Sequence, residues 1–146
     1  MSDVLAIDWW RTVANLPSAA ERLDRMVEHS CRTLARTRPL HTIVRDADEW
    51  AVFGAELGRE LQQQRLRIQT DRIRHFLRHE LRPGLSVAAA AQRYCALTSP
   101  ELYHTLTVEL GWTADAHRAW LTRLLHGELL GTPSTVASRA LEPVSA

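Results

Sequence analysis

The sequence predicts an all-α fold, a bundle of about five to six helices, and three observations carry that prediction. Apolar side chains recur three or four residues apart through most of the chain, the period of helices that bury one face. Ser or Thr stands where such stretches begin and Gly or Pro where they end, as helix caps and stops do. Leu, Ala, Arg and Glu are abundant while Gly and Pro number six each, so local propensity favours helix over strand. With 146 residues, 45% of them hydrophobic, the chain is long enough for one domain with a buried core.

Ser18 and Glu21 form a Ser-x-x-Glu capping box after Pro17, and Leu23, Met26, Val27, Cys31 and Leu34 follow at helical spacing. The first long helix is therefore expected over residues 18–37, with Pro39 interrupting it and Leu40, Ile43 and Val44 in a separate short turn. A long middle helix runs from Asp48 to the Leu81-Arg82-Pro83-Gly84 stop. Its wheel carries two apolar faces, Trp50, Phe53, Leu57, Leu61 and Ile68 on one side and Leu66, Ile73 and Leu77 nearly opposite, which places it between neighbours. Ser86 caps the next helix, in which the run from Ala88 to Ala91 lets another backbone approach closely. That helix restarts at Thr98-Ser99-Pro100-Glu101, either with Ser99 as cap before Pro100 or with Thr98 boxed to Glu101, and continues to a stop at Gly111. Thr113 caps the last helix, whose Ala116, Ala119, Trp120, Leu121, Leu124, Leu125 and Leu129 make a face wide enough for two neighbours. Residues 132–146 lack an apolar period and read as a disordered tail.

The charge balance excludes several classes of function. A formal net charge of +1 gives no overall field to hold a phosphate backbone. All 18 basic residues are Arg, and those between Arg59 and Arg78 alternate with Glu56, Glu60, Asp71 and Glu80, so intrahelical pairs account for the run as a solvated face. Cys31 and Cys95 sit far apart within apolar patterns, which reads as two free thiols in a reducing compartment. The N-terminus lacks a basic region and no apolar stretch is long enough to cross a bilayer, so a cytoplasmic protein with no membrane contact is expected.

The run Ala96-Leu97-Thr98-Ser99-Pro100-Glu101-Leu102-Tyr103, then Val108-Glu109-Leu110-Gly111-Trp112, then Ala119-Trp120-Leu121 and Leu129-Leu130, resembles the C-terminal signature of TetR-type transcriptional regulators. The Leu81-Arg82-Pro83-Gly84-Leu85-Ser86 turn and Glu21-Arg22-Leu23 are similar to the family's entry to this helix pair and to the start of its first ligand-domain helix. The resemblance spans roughly residues 9–130. It implies a TetR C-terminal-like bundle over residues 16–131 that binds a small hydrophobic ligand, needs no cofactor, and forms a homodimer through its last two helices. Residues 1–15, with Asp8-Trp9-Trp10, then correspond to a remnant of the connecting segment. A complete member opens with a helix-turn-helix head, and nothing ahead of Trp9 reads as a recognition helix, so no direct nucleic-acid contact by this chain is expected. An excised ligand domain and a naturally headless protein are both open on these grounds.

Under that resemblance the candidate pocket is closed by Met26 and His29 on the first helix. The middle helix gives Trp50, Phe53, Leu57, Leu61 and Ile68, with Gln64, Arg72 and His75 where the stripe turns polar, and Tyr94 and Thr98 complete it from the alanine-rich helix. The same polar positions also fit side chains that have left the core for water, His79 among them. The candidate dimer interface is Tyr103, Leu106, Trp120, Leu121, Leu124, Leu125 and Gly127. His75 and His79 stand four apart as a metal pair does, but no third ligand accompanies them, so no metal site is expected. Neither a Gly-x-Ser-x-Gly elbow nor a phosphate loop is present, which favours a binding module over an enzyme. The alternatives are catalysis in the cavity by His29, His75 or Tyr94, or modulation of another regulator by heterodimerisation.

Overall fold

The computed structural model describes residues 2–46 and 51–131, and the side chains of residues 6–40 and 56–131. All described regular structure is helical. Helix α1 spans Ser2–Ala14, α2 Ala19–Asp46, α3 Ala51–Leu77 and α4 Val87–Leu97. Helix α5, Pro100–His104, runs on into a π-helical turn over Thr105–Glu109, and α6, Ala114–Leu125, into another over His126–Leu130. Helix α3 packs along α4, while α2 crosses the middle of the bundle and touches α1, α3, α5 and α6.

The boundaries follow from local chemistry. The hydroxyls of Ser18, Ser86, Ser99 and Thr113 accept from the backbone N–H three residues on, at 3.2, 3.1, 3.2 and 3.1 Å, and so satisfy one orphan donor at each helix start. At the restart Ser99 is the cap, with Pro100 in the first turn. Thr98 is occupied, its hydroxyl donating back to the Tyr94 carbonyl at 2.7 Å. Gly111 and Gly131 end the last two helical runs with φ of 70° and 69°, a backbone that side chains with a Cβ rarely adopt. At Gly131 a Cβ would also stand 3.2 Å from the Arg82 side chain, whose backbone N–H donates to the Leu129 carbonyl at 2.8 Å.

Four expectations are corrected. Residues 2–14 form a helix that belongs to the bundle, because Val13 is fully buried and Trp9 and Trp10 pack against the core. Pro39 does not end α2. It removes one hydrogen bond, but the helix around it is solvent-exposed and water can take the freed carbonyl, so the chain stays helical. The third correction concerns the face that α3 turns inward. Leu66, Gln69, Ile73, Phe76 and Leu77 meet the core, whereas Leu57, Leu61 and Ile68 are 39%, 46% and 42% exposed and Gln64 and His75 also face solvent. The small side chains of Ala90 and Ala91, both fully buried, let α4 lie close against the first of these faces. Trp50 lies outside the described residues, as does the side chain of Phe53, and the tail expected over residues 132–146 lies outside them too.

The fourth correction concerns the last two helices. Leu121 and Leu125 have no accessible surface, and Tyr103 and Leu106 are buried as well, so these four candidate interface residues are spent inside one chain. The half-buried Trp120 and Leu124 and the exposed Gly127 are what that set leaves at the surface. Trp112 meets Trp120 edge to face there, at 5.7 Å between centroids.

Candidate ligand site

Arg65, Gln69, Arg72 and Phe76 follow one another along α3 at spacings of four, three and four, so one helical face carries three polar side chains toward α2 and α4. Arg65 is fully employed there. Its Nη2 donates to the carbonyls of Cys95 at 3.2 Å and Thr98 at 2.9 Å, capping the C-terminal end of α4, while Nη1 reaches Gln62. One turn further in, Gln69 is 8% exposed and its Oε1 has no hydrogen-bond partner among the described residues. The next turn brings Arg72, which lies between the inward and outward faces of α3 and is half-buried. Its Nε is buried without a partner, and its guanidinium carbon sits over the Trp9 ring of α1 at 4.8 Å from the centroid.

Burial favours the neutral forms of the two titratable side chains beside Arg72, Tyr94 and His29. Tyr94, fully buried on α4, shares a 2.7 Å hydrogen bond with Ser30 of α2, and burial pushes its phenol well above the ordinary range, with Ser30 and Arg72 offsetting part of that rise. His29 stacks on Trp9 with 4.6 Å between centroids, and burial first, then Arg72, Arg32 and Arg36, lowers its pKa. Trp9 therefore joins α2 to α3 across α1, meeting His29 on one and Phe76 edge to face at 6.0 Å on the other. Burial also lowers the pKa of Arg72 itself.

Several predicted site residues do not come together here. His75 lies on the outer side, stacked on Trp10 at 5.1 Å, and His79 accepts from Arg78 at 3.0 Å. Both line an open cleft of about 430 Å³ with Trp10, Asp71, Arg74 and Arg78, and His75 borders a second, apolar one of about 530 Å³ beside Ile7 and Ala14. Neither cleft lies between α2, α3 and α4. Of the residues expected to line a pocket, Met26, His29, Arg72 and Tyr94 line neither cleft, Leu57, Leu61, Gln64, Ile68 and His75 lie at the surface, and the hydroxyl of Thr98 is committed to α4. Sequence reading missed Trp9, Ser30 and Gln69. For Gln69 the signal was its place among Leu66, Ile73 and Leu77, one polar side chain inside an apolar face.

A second polar pair lies deeper, between α2 and α6. His117 is 1% exposed, its Nδ1 stands 4.0 Å from the Cys31 sulfur, and its Nε2 is unpartnered. Burial lowers the imidazole pKa and raises that of the Cys31 thiol, so the two meet as neutral groups and form no thiolate nucleophile. A pH dependence follows. The unfolded chain protonates histidine near pH ~6.5 and the folded protein only lower, so the unfolded state binds more protons below that pH and stability falls as pH drops. His117→Phe is expected to flatten the loss measured by urea unfolding between pH 7.5 and 5, and an unchanged slope would show that His117 does not carry it. Among the described residues no group of three or more His, Cys, Asp or Glu stands ready to hold a metal, and no helix is long and apolar enough to cross a membrane. Compared with family models, curated proteins and solved structures, the chain matches none of them.

Proposed function

We propose that the chain is an effector-binding and dimerising module of the TetR regulator type, taking a small molecule at the polar cluster between α1, α2, α3 and α4. The observation that carries this reading is the pair of buried, unpartnered atoms on one face of α3, the Gln69 Oε1 acceptor and the Arg72 Nε donor. Each unmade hydrogen bond costs about 1 to 3 kcal/mol in a buried setting. Apolar residues at both positions would make a more stable bundle, and such local losses are characteristic of places kept for binding. The resemblance in the segment from Ala96 to Leu130 supports the regulator type, and the half-buried Trp120 and Leu124 supply the surface through which two copies would pair.

Gln69→Leu separates this from an ordinary core. The variant is expected to unfold at higher temperature than wild type when ligand-free, by about 1 kcal/mol or more of added stability, and to lose the thermal stabilisation that wild type gains from small amphiphilic molecules. A ligand at a hundredfold excess over its Kd adds about 2.7 kcal/mol, well within reach of a thermal-shift measurement. A Gln69→Leu protein less stable than wild type, or wild type unmoved by every molecule offered, overturns the reading.

A further inference from the structure

We propose that the ligand of this site is an anion, a mostly apolar carboxylate bearing a hydrogen-bond donor close to its carboxyl group, with Arg72 receiving the carboxylate and Gln69 the donor. The inference rests on the site reading above and adds the chemical class.

It comes from comparing the arginines that the core touches. Arg22 gives its N–H groups to the carbonyls of Phe76 and Leu16 and to the Glu80 carboxylate, and Arg65 gives its own to two carbonyls of α4. Arg72 is the exception. Its only recorded contact of this kind is the Trp9 ring, which screens the charge yet accepts none of its hydrogen bonds, and no carboxylate among the described residues pairs with it. A half-buried guanidinium with free N–H groups is the fork that a carboxylate fits, and such charge-assisted bonds are stronger than neutral ones. Burial, and then the positive charges of Arg72, Arg32 and Arg36, lower the pKa of His29, so its imidazole is a poor competitor for the role of Arg72. The planar fork of Arg72 meets a planar carboxylate with two parallel bonds.

Gln69 refines the choice. Its buried Oε1 is an acceptor, which a carboxylate oxygen cannot satisfy, so the ligand must also bring an O–H or N–H. Residues three apart on a helix present side chains about 5 to 6 Å apart at Cβ, which places that donor a few bonds from the carboxyl carbon. Hydroxy acids and N-acylated amino acids have this arrangement. The half-buried Trp9 ring beside Arg72 offers apolar surface to the rest of the molecule.

The test uses the full chain and four probes of equal chain length: 3-hydroxyoctanoate, octanoate, 1-octanol and octyl phosphate, followed by calorimetry and by tryptophan fluorescence. Wild type is expected to bind octanoate at least tenfold more tightly than 1-octanol and 3-hydroxyoctanoate several-fold more tightly again. Arg72→Gln should erase the preference for acid over alcohol, and Gln69→Leu should erase only the gain from the hydroxyl. Arg72→Lys, which keeps the charge and loses the fork, provides a second variant if Arg72→Gln folds poorly, and should bind octanoate more weakly than wild type does. Equal binding of octanoate and octanol by wild type, or an acid preference that survives Arg72→Gln, overturns the anion inference and leaves the site. Tighter binding of octyl phosphate overturns the choice of carboxylate. Failure of all four probes overturns the inference and the site together.

Discussion

Leu125→Ala is expected to lower the free energy of unfolding by about 2 to 5 kcal/mol, the usual cost of removing a buried leucine side chain when the cavity cannot collapse. Leu125 has no accessible surface and belongs to the same core cluster as Leu23, Met26, Tyr94, Leu121 and Leu129, so groups from α2, α4 and α6 lose contacts together. Domains are stable by about 5 to 15 kcal/mol in total, so the loss is a large fraction and should appear as a drop of several degrees in Tm. The residue before it behaves oppositely. Leu124 is half-buried at the edge of α6, and Leu124→Glu should change Tm little while shifting a sedimenting dimer toward monomer. Similar stability losses for the two variants would mean that Leu124 is part of the core, and a wild type that sediments as a monomer at tens of micromolar would remove the pairing of copies from the proposed function.

Much of the fold was legible because its signals are local. Ser86, Ser99 and Thr113 cap, and Gly111 and Gly131 stop, through bonds and backbone angles that involve only a few neighbouring residues. The face that α3 turns inward was not legible, because both faces carry leucine and isoleucine and the choice between them is made by α4, through Ala90 and Ala91. Helix α1 announces itself only by Trp9, Trp10 and Val13, and its burial depends on the groove between α2 and α3 that receives it. Neither π-helical turn has a signal in the residues that form it. The second of them carries His126, whose Nε2 reaches Asp24 of α2 at 2.6 Å, a partner 102 positions away that no local pattern specifies.

The candidate site divides the same way. His29, Arg72 and Tyr94 were singled out because polar groups at helical spacing beside apolar ones are visible on a wheel, and the structure brings them together around Trp9 and Ser30. Gln64 and His75 were placed with them only because the wrong stripe was turned inward; Arg72 escaped that error by lying between the two faces. Ser30 and Gln69 were missed because a serine or glutamine within a helix is ordinary until its environment is known. Long-range packing, not residue type, pairs the Ser30 hydroxyl with Tyr94 and leaves the Gln69 Oε1 without a partner.

Arg22→Ala is the second substitution with a large expected effect, about 2 to 4 kcal/mol, and its consequences reach the site. The side chain is only 13% exposed and joins three elements: Nε donates to the Phe76 carbonyl at 2.8 Å, Nη1 to the Leu16 carbonyl at 2.7 Å, and Nη2 to Glu80 at 3.0 Å. The Phe76 carbonyl is one of the last four of α3, which have no partner within the helix, so alanine leaves it and the Leu16 carbonyl without this donor. Lysine is a poor replacement, since one ammonium on a flexible stem cannot meet three acceptors held in different directions. Leu16 stands two residues beyond the end of α1, so freeing its carbonyl loosens the helix that sets Trp9 over Arg72 and against His29. Hydrogen exchange should therefore show α1 amides opening well below the global unfolding free energy, while α4 amides exchange only through global unfolding. Tryptophan fluorescence should shift toward that of exposed indole before the cooperative transition begins. An Arg22→Lys protein with wild-type stability and wild-type protection of α1 would show that the guanidinium fork does not hold this helix in place.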